Sequence, residues 1–244
     1  MKLPLDQFRL SADQINTRNQ AWERLEQACM SRFGLEGIVG SRRLPPRQSP
    51  LSVFLDIEQA KHSGYDALQI NNTDSGHLRR TTPATLEQQQ AATGVFTGTT
   101  QTYNGQPVPA GGCEGEARAA IMPKNATPVR EDASDLAFKA GGLASRDSRV
   151  VKATQEWVAC MKAAGFNYTG PNQARNDPRW AAPSSAEENT IATTDAQCRA
   201  RTNLLNIQVA VEVAYQNQLI NQHKDELAIS KKQLSAMVNN AQGS

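Results

Sequence analysis

Trp157-Val158-Ala159-Cys160-Met161-Lys162-Ala163-Ala164-Gly165 restates a phrase the chain uses once before, between Trp22 and Gly34. The earlier copy reads Trp22-x6-Cys29-Met30-x3-Gly34, the later one Trp157-x2-Cys160-Met161-x3-Gly165. An alanine (Ala28, Ala159) precedes each cysteine, and a basic residue (Arg32, Lys162) lies between each Met and Gly. Each copy also has a second cysteine downstream, Cys113 after Gly111-Gly112 and Cys198 after Asp195-Ala196-Gln197. Four cysteines split between two similar halves predict a duplicated module held by two disulfides, in a compartment outside the reducing cytosol.

The helical signals work outward from these phrases. Ser11, with Gln14 three residues on, is a capping-box start for a first helix. Ile15, Trp22, Leu25 and Cys29 then recur on one face, and Gly34 is the stop. In the second half Asp147 or Ser148 caps a helix through Val150, Val151, Thr154, Trp157, Val158 and Met161 that ends at Gly165. No Gly or Pro occurs from Ser184 to Gln242. Thr194 or Asp195 is the expected cap of a helix beginning just before Cys198 and running more than forty residues, about 60 Å at 1.5 Å per residue. Leu205, Ile207, Val209, Val211, Val213 and Tyr215 alternate like a strand, but Leu204, Ile207, Val211 and Tyr215 also share a helical face, and the lack of breakers decides for helix. Further on, Val213, Ile220, Leu227 and Leu234 repeat every seven residues without an apolar partner seam. That predicts a protruding, half-packed helix rather than a coiled coil.

Residues 35–112 read as the irregular part, with Pro45-Pro46, Pro50, Pro83 and an Asn/Thr/Gly-rich run from Asn71 to Gly112. Within it a short helix is expected over Ser52–Gly64. Asn104-Gly105 signals a hairpin with a type I′ turn. Gly111-Gly112 turns the chain into a short helix carrying Cys113. The expected fold class is therefore mainly α: two disulfide-stapled helical modules, a long irregular loop region and a long C-terminal helix. The modules divide as 1–140, containing the loop-rich insert, and 141–244, containing the long helix.

In each half the first cysteine ends one helix and the second is expected in the opening turn of a later one. Of the three pairings four cysteines allow, the repeat selects Cys29–Cys113 and Cys160–Cys198, each contributing roughly 3–4 kcal/mol on chain-entropy reasoning, more for the longer loop.

Composition narrows function by exclusion. With 26 Lys+Arg against 24 Asp+Glu there is no field that would draw nucleic acid, although Arg42, Arg43 and Arg47 cluster locally. The mean hydropathy of −0.56 points to much solvated loop, and the longest apolar-rich stretch, 204–215, is too short to span a bilayer. There is no Cys-x2-Cys, so no metal site or cofactor is expected. No Gly-x-Ser-x-Gly, His-Glu-x2-His or phosphate-loop pattern occurs, so no catalytic residues are assigned. The rival reading is a thiol enzyme or secreted hydrolase, with Cys113 activated at a helix N-terminus and His62 or His77 as base. The candidate contact residues are Tyr168, Pro171 and Trp180, rigid groups in a polar loop after the second Cys-Met helix; the opposing reading is that they close that module's core.

Several longer stretches also resemble a family of uncharacterised actinobacterial secreted lipoproteins. These are Pro4-Leu5-Asp6 before the first helix, Ala28-Cys29-Met30-x3-Gly34, and Pro107-Val108-Pro109-x-Gly111-Gly112-Cys113-x-Gly115-Glu116-Ala117-Arg118. Trp157-x2-Cys160-Met161-x3-Gly165-Phe166-x-Tyr168 and Ala214-Tyr215-Gln216-x-Gln218-Leu219-Ile220 complete the set. The resemblance implies export and membrane attachment only through an N-terminal lipid anchor, on a leader that Met1 replaces. It implies no activity. The expectation is an extracytoplasmic binding or scaffold protein engaging an envelope component, a peptide or another protein.

Overall fold

The computed structural model describes residues 2–35, 38–40, 56–65, 78–80, 86–180 and 184–243, and they are mainly helical. A 3₁₀ turn at Pro4–Phe8 precedes α1 (Ala12–Arg32). The capping box forms as expected: Ser11 Oγ accepts from the Gln14 N–H (3.2 Å), and the Gln14 side chain accepts from the Ser11 N–H (2.9 Å). Strand β1 (Ile38–Gly40) pairs antiparallel with β2 (Leu78–Arg80). Between them lies α2 (Ile57–Ser63), capped by Asp56; the 52–55 part of the helix expected there lies outside the described residues.

Helix α3 (Leu86–Thr97) corrects the irregular reading of its stretch. Ala92, Val95 and Phe96 are buried with Cys29, Met30, Phe33 and Cys113, so a short apolar stripe found a core that the surrounding polar composition concealed. β3 (Thr102–Tyr103) and β4 (Gln106–Pro107) form the expected hairpin, with Asn104 and Gly105 at φ 49° and 77°, as a type I′ turn needs. Helix α4 (Gly112–Ile121) follows, then α5 (Ala133–Arg146), α6 (Ser148–Ala163), the short α7 (Pro171–Arg175), α8 (Ala186–Arg201), α9 (Leu204–Gln222) and α10 (Lys224–Gln242).

The duplicated phrase has one structural meaning. Gly34 and Gly165 both stand just past a helix with positive φ, 68° and 92°. Leu35 N–H returns to Met30 O (3.1 Å) and Phe166 N–H to Met161 O (2.9 Å), while Gly34 and Gly165 bond Ser31 O and Lys162 O. This is a Schellman cap, closed by contact between the apolar residue after Gly and the Met or Cys one turn back. Leu35 packs with Met30 and Cys29, and Phe166 with Met161 and Cys160. Cys-Met-x3-Gly-apolar thus ends a helix and holds a sulfur on its last turn in the same motion.

Both expected disulfides are formed, Cys29–Cys113 and Cys160–Cys198. Cys113 does lie in the opening turn of α4. Of its two preceding glycines, Gly112 is needed for backbone approach, since a Cβ there would come within 2.3 Å of Phe96 O, and Gly111 for its positive φ of 73°. Cys198 departs from expectation. Helix α8 begins at Ala186, with Ser185 Oγ capping Glu188 N–H, so Cys198 sits near its far end. Ser185 is as good a cap as Thr194, and the earlier start is favoured because it buries Glu188, Ile191 and Ala192.

The region from Ala186 onward is helical, including the alternating stretch 205–215, and ends in a long helix, but it is not one rod. Asn203 adopts the left-handed conformation (φ 52°), which its short polar side chain tolerates. His223 departs from helical geometry (φ −119°, ψ 23°). Helix α10 does not protrude half-packed: Leu227, Ser230, Met237, Val238 and Ala241 are buried, and it packs on α1 and α4.

The described residues fall into two compact units. One comprises those of 8–45, 73–133 and 224–244, with Cys29–Cys113 at its centre. Its second core joins Ala21 and Trp22 of α1, Ala117 and Ile121 of α4, and Met237 and Ala241 of α10. The other comprises those of 1–7, 46–72 and 134–223, with Cys160–Cys198. Its core gathers Trp157 and Met161 of α6, Ile191, Ala192 and Ala196 of α8, and Ala60 and Tyr65. The two units interleave along the sequence: α10 follows the second phrase yet belongs with the first, and α2 does the reverse. The physical reason is burial, since each helix is held by the apolar face it covers.

Candidate functional site

The loop holding the expected contact residues is built on the second Schellman cap. After Phe166 the chain reaches Tyr168, then α7, with Pro171 half-buried in its first turn where a missing N–H costs nothing. Asp177 organises the return. Its Oδ1 accepts from the Arg179 N–H (3.1 Å) and Nε (3.0 Å), and its Oδ2 from Arg179 Nη2 (2.8 Å) and the Tyr168 hydroxyl (3.0 Å). Arg179 also pairs with the Glu187 carboxylate through Nη1. The Arg179 hydrogen bonds hold the Asp177 carboxyl well below the usual carboxylate range. Burial, then the bond to Asp177, pushes the Tyr168 hydroxyl up.

Tyr168 is 8% exposed and belongs to the core. Trp180 packs against the same core, donates Nε1–H to Ala174 O (2.7 Å), stacks on Tyr65 (centroids 6.2 Å apart) and carries the Arg179 guanidinium 4.9 Å from its ring centroid. The rings of both are thus committed inside the unit. Trp180→Ala is expected to cost about 3 kcal/mol, the range of a truncated aromatic in contact with core. Thermal or urea unfolding checks this; a melting temperature unchanged from the parent would return Trp180 to the status of a free contact residue.

Beneath the loop lies a buried polar cluster that sequence reading missed. Asp195 is 0% exposed and accepts four hydrogen bonds: from Trp157 Nε1 (2.8 Å), the Tyr65 hydroxyl (3.1 Å), Arg199 Nε (2.6 Å) and Arg199 Nη2 (3.1 Å). Glu188, two turns earlier on the same face of α8, accepts the Tyr65 N–H (2.9 Å). Burial first, and then the Asp195 charge, raise the Tyr65 hydroxyl far above its ordinary value. A carboxylate has about four lone-pair sites; those of Asp195 are all engaged, which suits it to fastening α2, α6 and α8 rather than to taking a proton from a substrate. The legible signal was Asp195 and Arg199 four residues apart on a helix.

The thiol-enzyme site does not assemble. Cys113 is fully buried and bonded to Cys29, and among the described residues there is no free cysteine. His62 lies on α2, in the other unit from Cys113. His77, like Arg42, Arg43 and Arg47, lies outside the described residues. Among the described residues no group of three or more His, Cys, Asp or Glu could hold a metal ion, and no helix is long and apolar enough to cross a membrane.

What does face solvent is Phe138, 87% exposed, on α5. The same helix buries Leu136, Ala140 and Ala144, so Phe138 projects from the opposite side of a packed element. One turn on, at the i+3 and i+4 positions that neighbour it on a helix surface, stand Gly141 and Gly142, and a Cβ at either would meet nothing within 4 Å. Gly141 and Gly142 thus leave the helix backbone bare one turn after Phe138. Glycine weakens a helix interior by about 1 kcal/mol relative to alanine, and two in succession next to an exposed aromatic are not explained by stability. Sequence reading passed over Phe138 because α5 lacks a strong start signal.

Compared with protein families, curated proteins and solved structures, the chain matches none.

Proposed function

We propose that this is an extracytoplasmic, membrane-tethered binding or scaffold protein of the bacterial cell envelope, without chemistry of its own. The observation that carries the reading is Phe138: a large aromatic at 87% exposure on a helix whose other face is packed. Exposed aromatics on rigid elements offer contact area at low ordering cost, the quality of binding hot spots. Two disulfides, consistent with a location outside the cytosol, hold the units in shape. In this reading Tyr168, Pro171 and Trp180 keep the neighbouring loop rigid, and Phe138 makes the contact.

The test is a binding screen of the intact protein against peptidoglycan fragments, anionic phospholipid vesicles and a peptide library, run beside a general hydrolase panel. Saturable binding that falls at least tenfold in Phe138→Asp supports the reading. That variant should unfold within about 0.5 kcal/mol of the parent, as surface substitutions do. Turnover of any hydrolase substrate, or binding indifferent to Phe138, overturns it.

A further inference from the structure

Helix α5 buries Leu136, Ala140 and Ala144 on one side, Ala144 in a cluster with Val150 and Val211. At about 100° per residue, the direction opposite that stripe is held by Asp135, Phe138, Gly142 and Arg146, all exposed and all in one compact unit. Along the helix this face carries an acid, then an aromatic, then a notch without a side chain, then a base. Nothing in the chain's own fold calls for the notch. Neither Gly141 nor Gly142 has a positive φ, and a Cβ at either would meet nothing within 4 Å. Side chains on a helix lean toward its N-terminus, so Phe138 covers the turn before its own and not the glycines after it. What fills the notch comes from outside the chain.

We propose that this face pairs with the same face of a second copy of the chain, the two α5 helices lying antiparallel about a two-fold axis at the level of Lys139. The inference rests on the reading of Phe138 as a contact residue and names its partner. A two-fold contact needs a self-complementary patch, and this one is self-complementary only in the antiparallel sense. Each Phe138 ring enters the notch over Gly142 of the second copy, and each Asp135 faces an Arg146 across the interface. Two ion pairs then flank two buried rings. Lys139, about 40° round the helix from Asp135, falls at the rim. Parallel pairing would instead set acid against acid and base against base. Two helices of this length bury less than the roughly 1,200–2,000 Å² of stable complexes, so the pairing is weak between free molecules. Tethering copies to one surface raises their effective concentration and favours it.

Sedimentation equilibrium of the full chain, disulfides intact and with no ligand added, is run from micromolar to millimolar concentration. A reversible monomer–dimer equilibrium is expected. Gly142→Leu fills the notch and removes a helix-weakening residue. It should raise the melting temperature measured at micromolar concentration while lowering the association constant about tenfold or more, which separates the interface from the fold. Asp135→Arg and Arg146→Asp should each weaken the pairing, and the two together should restore it. These residues stand about 16 Å apart along the helix, too far to pair within one chain, so restoration reports contact between chains. The double reversal also opposes the helix dipole at both ends, so a sturdier helix is not its cause. A monomer throughout the range overturns the pairing, and Phe138-dependent binding in the ligand screen, run at micromolar concentration, would then leave the binding reading standing. A dimer that tolerates Gly142→Leu, or that the double reversal fails to recover, overturns the pairing equally.

Discussion

Asp195→Ala is expected to destabilise the unit by about 3–5 kcal/mol, the cost of leaving one member of a buried ion pair without its partner. Arg199 is only 7% exposed, and its Nε and Nη2 would both be deprived of acceptors. The Trp157 indole N–H and the Tyr65 hydroxyl would lose their partner too, each an orphaned buried donor costing about 1–3 kcal/mol if water cannot reach it. Asp195→Asn should cost less, since it keeps the shape and one acceptor. The discriminating variant is Asp195→Leu with Arg199→Met, which removes both charges and should be more stable than Asp195→Ala alone. Urea midpoints measure all three, with Asp195→Leu and Arg199→Met also made singly. A double variant losing the plain sum of its single changes would show that the pair is not coupled.

Removing Cys160–Cys198 by paired alanine substitution is expected to cost about 4 kcal/mol, and removing Cys29–Cys113 somewhat more, because the closed loops span 38 and 84 residues and loop entropy grows with their logarithm. The second loss is compounded by packing, since Cys29 and Cys113 are both core residues. Exposure orders their chemistry differently. Cys29 and Cys113 are 1% and 0% exposed, whereas Cys160 is only partly buried, and thiol–disulfide exchange needs access to a sulfur. A dithiol reductant under native conditions should therefore open Cys160–Cys198 first, followed by alkylation and peptide mass. Simultaneous loss of both bonds would mean that reduction proceeds through global unfolding.

The helix starts and stops nearest the cysteines were legible because they are local. Ser11 with Gln14, Asp147, Asn104-Gly105, and the glycines after each Cys-Met are signals in which a side chain or a permitted φ satisfies backbone groups within a few residues. The cysteine pairing was legible because the phrase repeats. What escaped lay beyond that range. Helix α3 looked like loop until Ala92, Val95 and Phe96 had Cys29 and Cys113 to pack on. The cap of helix α8 lies nine or ten residues before the expected ones, since Ser185, Thr194 and Asp195 are locally comparable and only burial chooses among them. Asp195 was read as a cap candidate, yet it became the buried acceptor of four hydrogen bonds only when Tyr65 and Trp157 arrived from distant parts of the chain. Phe138 carried no signal, because exposure is a property of what fails to cover a residue.

By itself, then, the sequence determined the helical character of the chain, the caps of α1 and α6 and the two staples, all of which depend on neighbours in sequence or on an internal copy. The tertiary structure decided where the final helix goes. No local signal in 224–242 names its partner; Leu234, Met237 and Ala241 are held because Ala21 and Trp22 of α1, about two hundred residues away in the chain, and Ala117 and Ile121 of α4 give that apolar face something to cover.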